Sequence, residues 1–121
     1  MELKEYQERA MTTCMASSNN FSYMFLNLVG EIGEFASKVA KFIRKEKAGI
    51  EYDTLMLNGC KHEETEELEK EAGDILWQLS GLCSVMGWSL EDVAQHNLDK
   101  LAARKAIGTI DGNGDGIIRG K

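Results

Sequence analysis

Apolar residues recur about every 3.6 residues along most of the chain, a pattern typical of amphipathic helices. The pattern predicts four helices, at about 3–16, 21–47, 63–86 and 90–106. Residues 48–62 lose this period and predict either a short β-hairpin or an ordered loop that leads to Asn58-Gly59. The residues expected to form the buried stripe of the second helix are Phe25, Leu28, Ile32, Ala36, Val39 and Ile43.

The expected fold is an all-α, four-helix, bundle-like single domain. A chain of 121 residues is long enough to bury one core. Hydrophobic residues make up 43% and charged residues 28%, without any proline, which favours a globular helical protein over a disordered one. We expect the domain to span residues 1–108 and a glycine-rich C-terminal tail to span 109–121.

Charge and cysteine usage exclude several classes of function. The net charge of −6 argues against binding to a nucleic-acid polymer, which needs a basic face. No apolar run approaches the roughly 18–20 residues needed to cross a bilayer, so no membrane association is expected. The three cysteines form no CxxC pair and predict reduced thiols, and hence a cytoplasmic protein.

Two pairs of carboxylates stand three residues apart beside apolar positions, Glu31 with Glu34 and Glu71 with Asp74. If the second and third helices pack antiparallel, the four carboxylates face one another across a groove. Anions this close repel unless they are protonated or bridged by cations, and hard oxygen ligands suit Mg²⁺, with Mn²⁺ as a substitute. The alternative is a set of solvated charges, which is the interpretation for Glu66, Glu67 and Glu69.

Helix-interior glycines flank both pairs. Gly30, Gly33 and Gly73 each cost helix stability relative to alanine, so they predict close approach of a backbone or a ligand. On the fourth helix, a further group of polar residues suits phosphate binding through charged hydrogen bonds, with a solvated basic face as the alternative. This group comprises Asn97, Lys100 and Arg104. Carboxylates for metal and cations for phosphate together indicate a site for a nucleotide polyphosphate.

These motifs resemble those of the MazG-like all-α nucleoside triphosphate pyrophosphohydrolases. The family hallmark, EExxE on one helix and ExxD on the next, corresponds to "GEIGE" at 30–34 and "EAGD" at 71–74. The segments "EYQERAMTT" and "NLDKLAARKAIGTIDGNGD" are also similar to small members of the family. The chain departs from the pattern in two ways: Gly30 replaces the first glutamate, and the spacer between the motifs is longer.

The resemblance implies Mg²⁺-dependent hydrolysis of nucleoside or deoxynucleoside triphosphates to monophosphate and pyrophosphate, in a homodimer or homotetramer. The expected metal-holding and catalytic residues are Glu31, Glu34, Glu71 and Asp74. The residues expected to bind substrate phosphates and sugar are Lys38, Asn97, Lys100 and Arg104. Gln7 and Trp77 are candidates for base contacts, with core packing as the alternative for Trp77. Two other functions stay open: a non-catalytic regulatory module, favoured by Gly30, and a phosphoribosyl-ATP pyrophosphohydrolase.

Overall fold

The computed structural model describes residues 1–108, and the predicted tail at 109–121 lies outside this range. Within it, the chain forms four α-helices and one small antiparallel hairpin, which confirms the all-α prediction. The elements are α1 (Leu3–Met11), α2 (Phe21–Arg44), β1 (Gly49–Glu51), β2 (Thr54–Met56), α3 (His62–Val85) and α4 (Leu90–Ala106). A 3-10 turn at Ala16–Ser18 precedes α2.

The main packing contact of the fold is between α2 and α3, which are 24 residues long each and run antiparallel. At one end of this pair, Gly81 lies directly against the side chain of Met24, and both residues are buried. A Cβ at Gly81 would overlap the Met24 thioether. The absent side chain therefore allows close approach of the two helices here, a role that the sequence analysis did not assign to Gly81.

The first helix packs on α3 and α4 and ends earlier than expected. It was predicted to reach residue 16 but ends at Met11. The hydroxyl groups of Thr12 and Thr13 donate to the carbonyl oxygens of Arg9 and Ala10, at 2.6 Å each. Such bonds from short side chains to nearby carbonyls compete with the helical pattern, which explains the early end.

The second helix ends at Arg44 rather than at residue 47. Glu46 takes the left-handed conformation, with φ of 60°, and the amide of Lys47 donates to the carbonyl of Phe42 at 2.8 Å. These features define a Schellman-type end, which turns the chain away from the helix axis. The chain then enters the hairpin, so the hairpin alternative for residues 48–62 is confirmed.

The hairpin is fixed to the helical pair at its base. Its strands pair Gly49 with Met56, and its two-residue turn has both residues at positive φ. At the base, Lys47 forms an ion pair with Glu64 of α3, and the Gly59 amide donates to the Lys47 carbonyl at 2.8 Å. The long spacer between the two acidic motifs therefore contains an ordered hairpin that is attached to α3 at its base.

The apolar stripe expected to be buried on α2 is largely exposed. Phe25 is 44% exposed, Ile32 51% and Ile43 38%, so the prediction that these residues are buried in the single chain is wrong. The physical reason is that α2 packs chiefly on α3, so its outer face has no covering element among the described residues. The buried apolar residues of the described chain are Met24, Phe42, Leu68, Cys83 and Leu90.

We predict that Gly59→Ala destabilises the hairpin anchor. A Cβ at Gly59 would lie 2.7 Å from the Lys47 Cα and 2.9 Å from its carbonyl oxygen, and backbone atoms cannot rotate away. Such overpacking costs about 1–3 kcal/mol in the free energy of unfolding, measurable by urea denaturation. Gly49→Ala is the control, because a Cβ there meets nothing within 4 Å. Equal unfolding midpoints for the two variants would contradict the proposed close contact.

Candidate metal and nucleotide site

The surface along which α2 faces α3 is a line of mostly polar residues, here called the seam. On α2 the seam residues are Met24, Asn27, Glu31, Glu34 and Lys38, and on α3 they are Gly81, Gln78, Asp74, Glu71 and Glu67. Alternating steps of three and four residues keep one side of each helix toward its partner. Residues that face each other across the seam are in contact. Asn27 donates to Gln78 at 2.8 Å, and at the other end the Lys38 Nζ atom lies 3.5 Å from a Glu67 oxygen.

Carboxylates occupy the middle of the seam. One oxygen each from Glu31, Glu34 and Glu71 lies within 4.8 Å of the others. Glu71 is buried, with 8% of its surface exposed, while Glu31 is half-buried and Glu34 is exposed. Asp74 lies close enough for its charge to act on both Glu31 and Glu71. Three of the four carboxylates predicted from sequence therefore meet at one place, with Asp74 beside them.

The crowding of these groups changes their titration. Burial, followed by the charges of Asp74 and Glu34, raises the pKa of Glu31. The pKa of Glu71 is also raised, first by burial, then by the hydrogen bond with Asp74 and by the charge of Glu34, while Lys38 acts in the opposite direction. Without a bridging cation, the folded protein therefore bears a cost for keeping these groups ionised together.

The donor set fits a small divalent cation. The Oε1 atom of Glu31 is buried and accepts no hydrogen bond within residues 1–108. A carboxylate oxygen without a partner is costly unless something cationic faces it. Ligand oxygens lie about 2.0–2.1 Å from Mg²⁺, so three oxygens grouped this closely require little rearrangement to share one ion. Glu31, Glu34 and Glu71, with Asp74 adjoining, are thus the residues able to hold the metal.

Two residues beside the cluster, Glu67 and Tyr6, have contacts that the sequence analysis did not predict. Lys38 lies 3.9 Å from Glu71 as well as 3.5 Å from Glu67, so Glu67 is part of the seam and not simply a solvated charge. From α1, Tyr6 approaches Asp74 closely enough for burial and this carboxylate to raise the pKa of its hydroxyl. For Glu67, the seam spacing of three and four residues was a usable signal. Tyr6 had none, because only tertiary packing brings α1 to α3.

Two of the polar residues of α4, Asn97 and Lys100, do not join the carboxylates within the described part of the chain. Asn97 and Lys100 are exposed and line a groove of about 580 Å³ beside Trp88 and His96. Within the described residues, neither Asn97 nor Lys100 makes a hydrogen bond or ion pair with the cluster. Arg104 is buried, with 6% of its surface exposed. Within the described residues, Asn97 and Lys100 are therefore not brought to the metal ligands.

The two candidates for base contacts are both bound to other parts of the chain. Gln7 donates to the Ser84 hydroxyl at 2.9 Å and the Trp88 carbonyl at 3.1 Å, and it accepts from the Leu90 amide at 2.8 Å. These bonds join α1 to the turn between α3 and α4. The indole of Trp77 donates to Thr13 at 2.9 Å, which matches its packing alternative. A base contact by either residue would compete with these bonds.

The glycines near the acidic motifs do not mark close backbone contacts within the described residues, so that part of the expectation is wrong, while approach of a ligand stays a prediction. A Cβ at Gly33 or Gly73 would meet nothing within 4 Å, and one at Gly30 would meet only Asn27 Oδ1, at 3.7 Å. These positions are open in the single chain. The closely packed glycine of this helix pair is Gly81 instead.

The described chain is thus an all-α domain with an acidic cluster between two antiparallel helices. Residues 19–107 match the family model for the MazG nucleotide pyrophosphohydrolase domain. The chain belongs to this family. The match spans α2, the hairpin, α3 and α4, and so contains all four carboxylates.

A curated relative from a bacterial virus has a similar sequence. The chain is 37% identical over 99 residues to "Gene 37 protein" of Mycobacterium phage L5, which covers 82% of this chain and 78% of the relative. No solved structure matches the chain significantly. None of the helices within residues 1–108 is both long and apolar enough to cross a membrane.

We predict that Glu71→Gln and Asp74→Asn leave the metal-free protein as stable as the parent or more stable. Each removes a negative charge from the crowded cluster while preserving side-chain shape, so repulsion falls. With Mg²⁺ added, both variants should gain less in melting temperature than the parent, because a ligand stabilises only the form that binds it. Thermal melts with and without Mg²⁺ measure both effects.

Two variants provide matched controls for this experiment. Glu66→Gln and Glu69→Gln remove the same charge from exposed positions of the same helix. Their Mg²⁺-dependent gain in melting temperature should equal that of the parent. Identical behaviour of cluster and control variants would show that the carboxylates are ordinary solvated charges.

Proposed function

We propose that the protein hydrolyses nucleoside or deoxynucleoside triphosphates to the monophosphate and pyrophosphate in a Mg²⁺-dependent reaction. The main support is the meeting of Glu31, Glu34 and Glu71 oxygens within 4.8 Å, in a chain of the MazG family. Mn²⁺ is the expected substitute metal, since it shares the preference for oxygen ligands. A cytoplasmic location is part of this proposal.

Each group of residues has a distinct task in the proposed reaction. Four of the seam carboxylates, Glu31, Glu34, Glu71 and Asp74, would hold Mg²⁺, which would neutralise phosphate charge and lower the pKa of a water. One of these carboxylates accepts the proton of the water that attacks the α-phosphorus, and pyrophosphate leaves. Lys38, already beside Glu71, is placed to exchange its carboxylate partners for phosphate oxygens.

Assembly into a homodimer or homotetramer is the second part of the proposal. The exposed face of α2 carries a stacked aromatic pair, Phe21 and Phe25, with ring centroids 5.6 Å apart, and continues through Ile32. Contiguous exposed apolar surface of this kind is typical of interfaces. A partner chain also offers a second copy of Asn97 and Lys100, which within residues 1–108 of the single chain do not join the cluster.

We expect pyrophosphate release to depend on the cluster and on Mg²⁺. Glu71→Gln and Asp74→Asn should lower the rate at least about a hundredfold, reflecting the several kcal/mol that a catalytic metal supplies. Glu66→Gln and Glu69→Gln are the controls and should retain the parent rate. The assay compares standard and deoxynucleotides with phosphoribosyl-ATP, with Mg²⁺ or with chelator.

The outcomes of this panel separate the three functions. Release from nucleoside triphosphates supports the proposal, whereas release from phosphoribosyl-ATP alone supports the alternative of a phosphoribosyl-ATP pyrophosphohydrolase. Binding without any release would indicate a regulatory module that has lost activity. Gly30, which replaces the first glutamate of the family pattern, is the feature that favours this last outcome.

Sedimentation at micromolar concentration should show a dimer or tetramer. Phe25→Glu introduces a charge into the exposed α2 face and should shift the protein toward monomer and reduce pyrophosphate release. Tyr52→Glu is the matched control, since Tyr52 is fully exposed at the hairpin turn, away from the α2 face. A monomeric parent with full activity would refute the assembly proposal.

A further inference from the structure

Beyond Glu31 and Asp74, the next position of the seam holds two amide side chains, Asn27 and Gln78, and their orientation is determined. Gln78 is only 2% exposed, and its Nε2 donates to the main-chain carbonyl of Met24 at 3.3 Å. A carbonyl oxygen only accepts hydrogen bonds. Gln78 must therefore turn its amino group to Met24 and its Oε1 atom to Asn27.

The orientation of Gln78 in turn fixes that of Asn27. Because Gln78 presents an acceptor, Asn27 must present its amino group, and Nδ2 donates to Gln78 Oε1 at 2.8 Å. The same nitrogen lies 3.3 Å from the Tyr23 hydroxyl, which is the second partner for its two protons. The donor end of Asn27 is thus fully used, and its acceptor end, Oδ1, accepts no hydrogen bond within residues 1–108.

The free Oδ1 atom lies beside the candidate metal site. It is 3.7 Å from the position that a Cβ on Gly30 would take, and no side chain at Gly30 covers it. Along α2, Asn27 precedes Glu31 by four residues, roughly 6 Å of rise. An acceptor whose orientation is fixed before binding loses little entropy when it captures a donor.

We infer that Asn27 Oδ1 accepts a hydrogen bond from the nucleoside part of the bound nucleotide, and that Gln78 is the positioning residue that keeps this oxygen turned outward. The inference rests on the proposed function for the identity of the ligand. With the phosphates held at the carboxylates, the sugar and base are the parts that extend along the seam. The donor is an O–H or N–H group, either the 3′-hydroxyl of the sugar or an exocyclic amino group of the base.

The test measures whether the affinity gained from a donor group on the ligand depends on Asn27. The parent and Asn27→Ala are titrated calorimetrically, in Mg²⁺, with α,β-methylene triphosphates that resist hydrolysis. One ligand pair differs only in the 3′-hydroxyl, and a second pair differs only in the adenine amino group. For one of the pairs, the parent should bind the donor-bearing ligand on the order of tenfold more tightly, and Asn27→Ala should bind both ligands equally.

General damage to the site does not imitate this result, because it weakens binding of both members of a pair alike. The pair that shows the dependence identifies the donor as sugar or base. If the affinity ratio is the same in parent and Asn27→Ala for both pairs, the contact does not exist. Gln78→Met keeps the side-chain volume but removes the Oε1 acceptor, so the affinity ratio between the two ligands of the pair should fall to near one. Gln95→Met on α4 is the control and should keep the ratio of the parent. A full ratio in Gln78→Met would refute the positioning role.

The design also distinguishes this inference from the proposed function. Pyrophosphate release by the parent without any Asn27-dependent ratio would overturn the inference and leave the proposed function standing. The reverse would follow if the affinity ratio differed between the parent and Asn27→Ala while the parent bound nucleotides but released no pyrophosphate. Absence of nucleotide binding by the parent would refute both.

Discussion

The pairing of α2 with α3 through a polar seam is the constraint that organises this protein. Two helices ordinarily bury apolar residues where they face each other, because burial of apolar surface is what drives their packing. Here the facing line instead carries six ionisable groups and two amides between the Met24–Gly81 contact and the hairpin base. The helices approach closely at Gly81, and from there they face each other through amide, carboxylate and lysine side chains.

Because the seam itself opposes packing, other parts of the chain must stabilise the fold. Like charges in one cluster oppose packing, and Lys38 offsets them only in part, as the raised pKa values of Glu31 and Glu71 indicate. Stabilisation must come from elsewhere: from buried apolar residues such as Phe42 and Leu68, from the bonds of Gln7, and from the Lys47–Glu64 ion pair. The proposed metal ion and partner chain would add the contributions that the isolated chain lacks.

Much of the fold and the core of the site followed from sequence alone. The helical period gave α3 and α4 nearly to the residue, and the spacing of Glu31 with Glu34 and of Glu71 with Asp74 identified the cluster that the structure brings together. Local chemistry was sufficient there, because a spacing of three residues fixes a helix face whatever the helix packs against. The ends of α1 and α2 were less predictable, since they depend on threonine hydroxyl bonds and on a left-handed Glu46.

The sequence by itself determined which residues lie on the same face of each helix, and thus the class of chemistry and the family. Only the tertiary structure decided which faces are covered and which polar groups meet. It left Phe25 and Ile32 exposed, separated Asn97 and Lys100 from the carboxylates, and oriented Asn27 through Gln78, a residue 51 positions away. The physical reason is that periodicity is a property of one helix, whereas burial and hydrogen-bond direction depend on which atoms of a second helix are opposite.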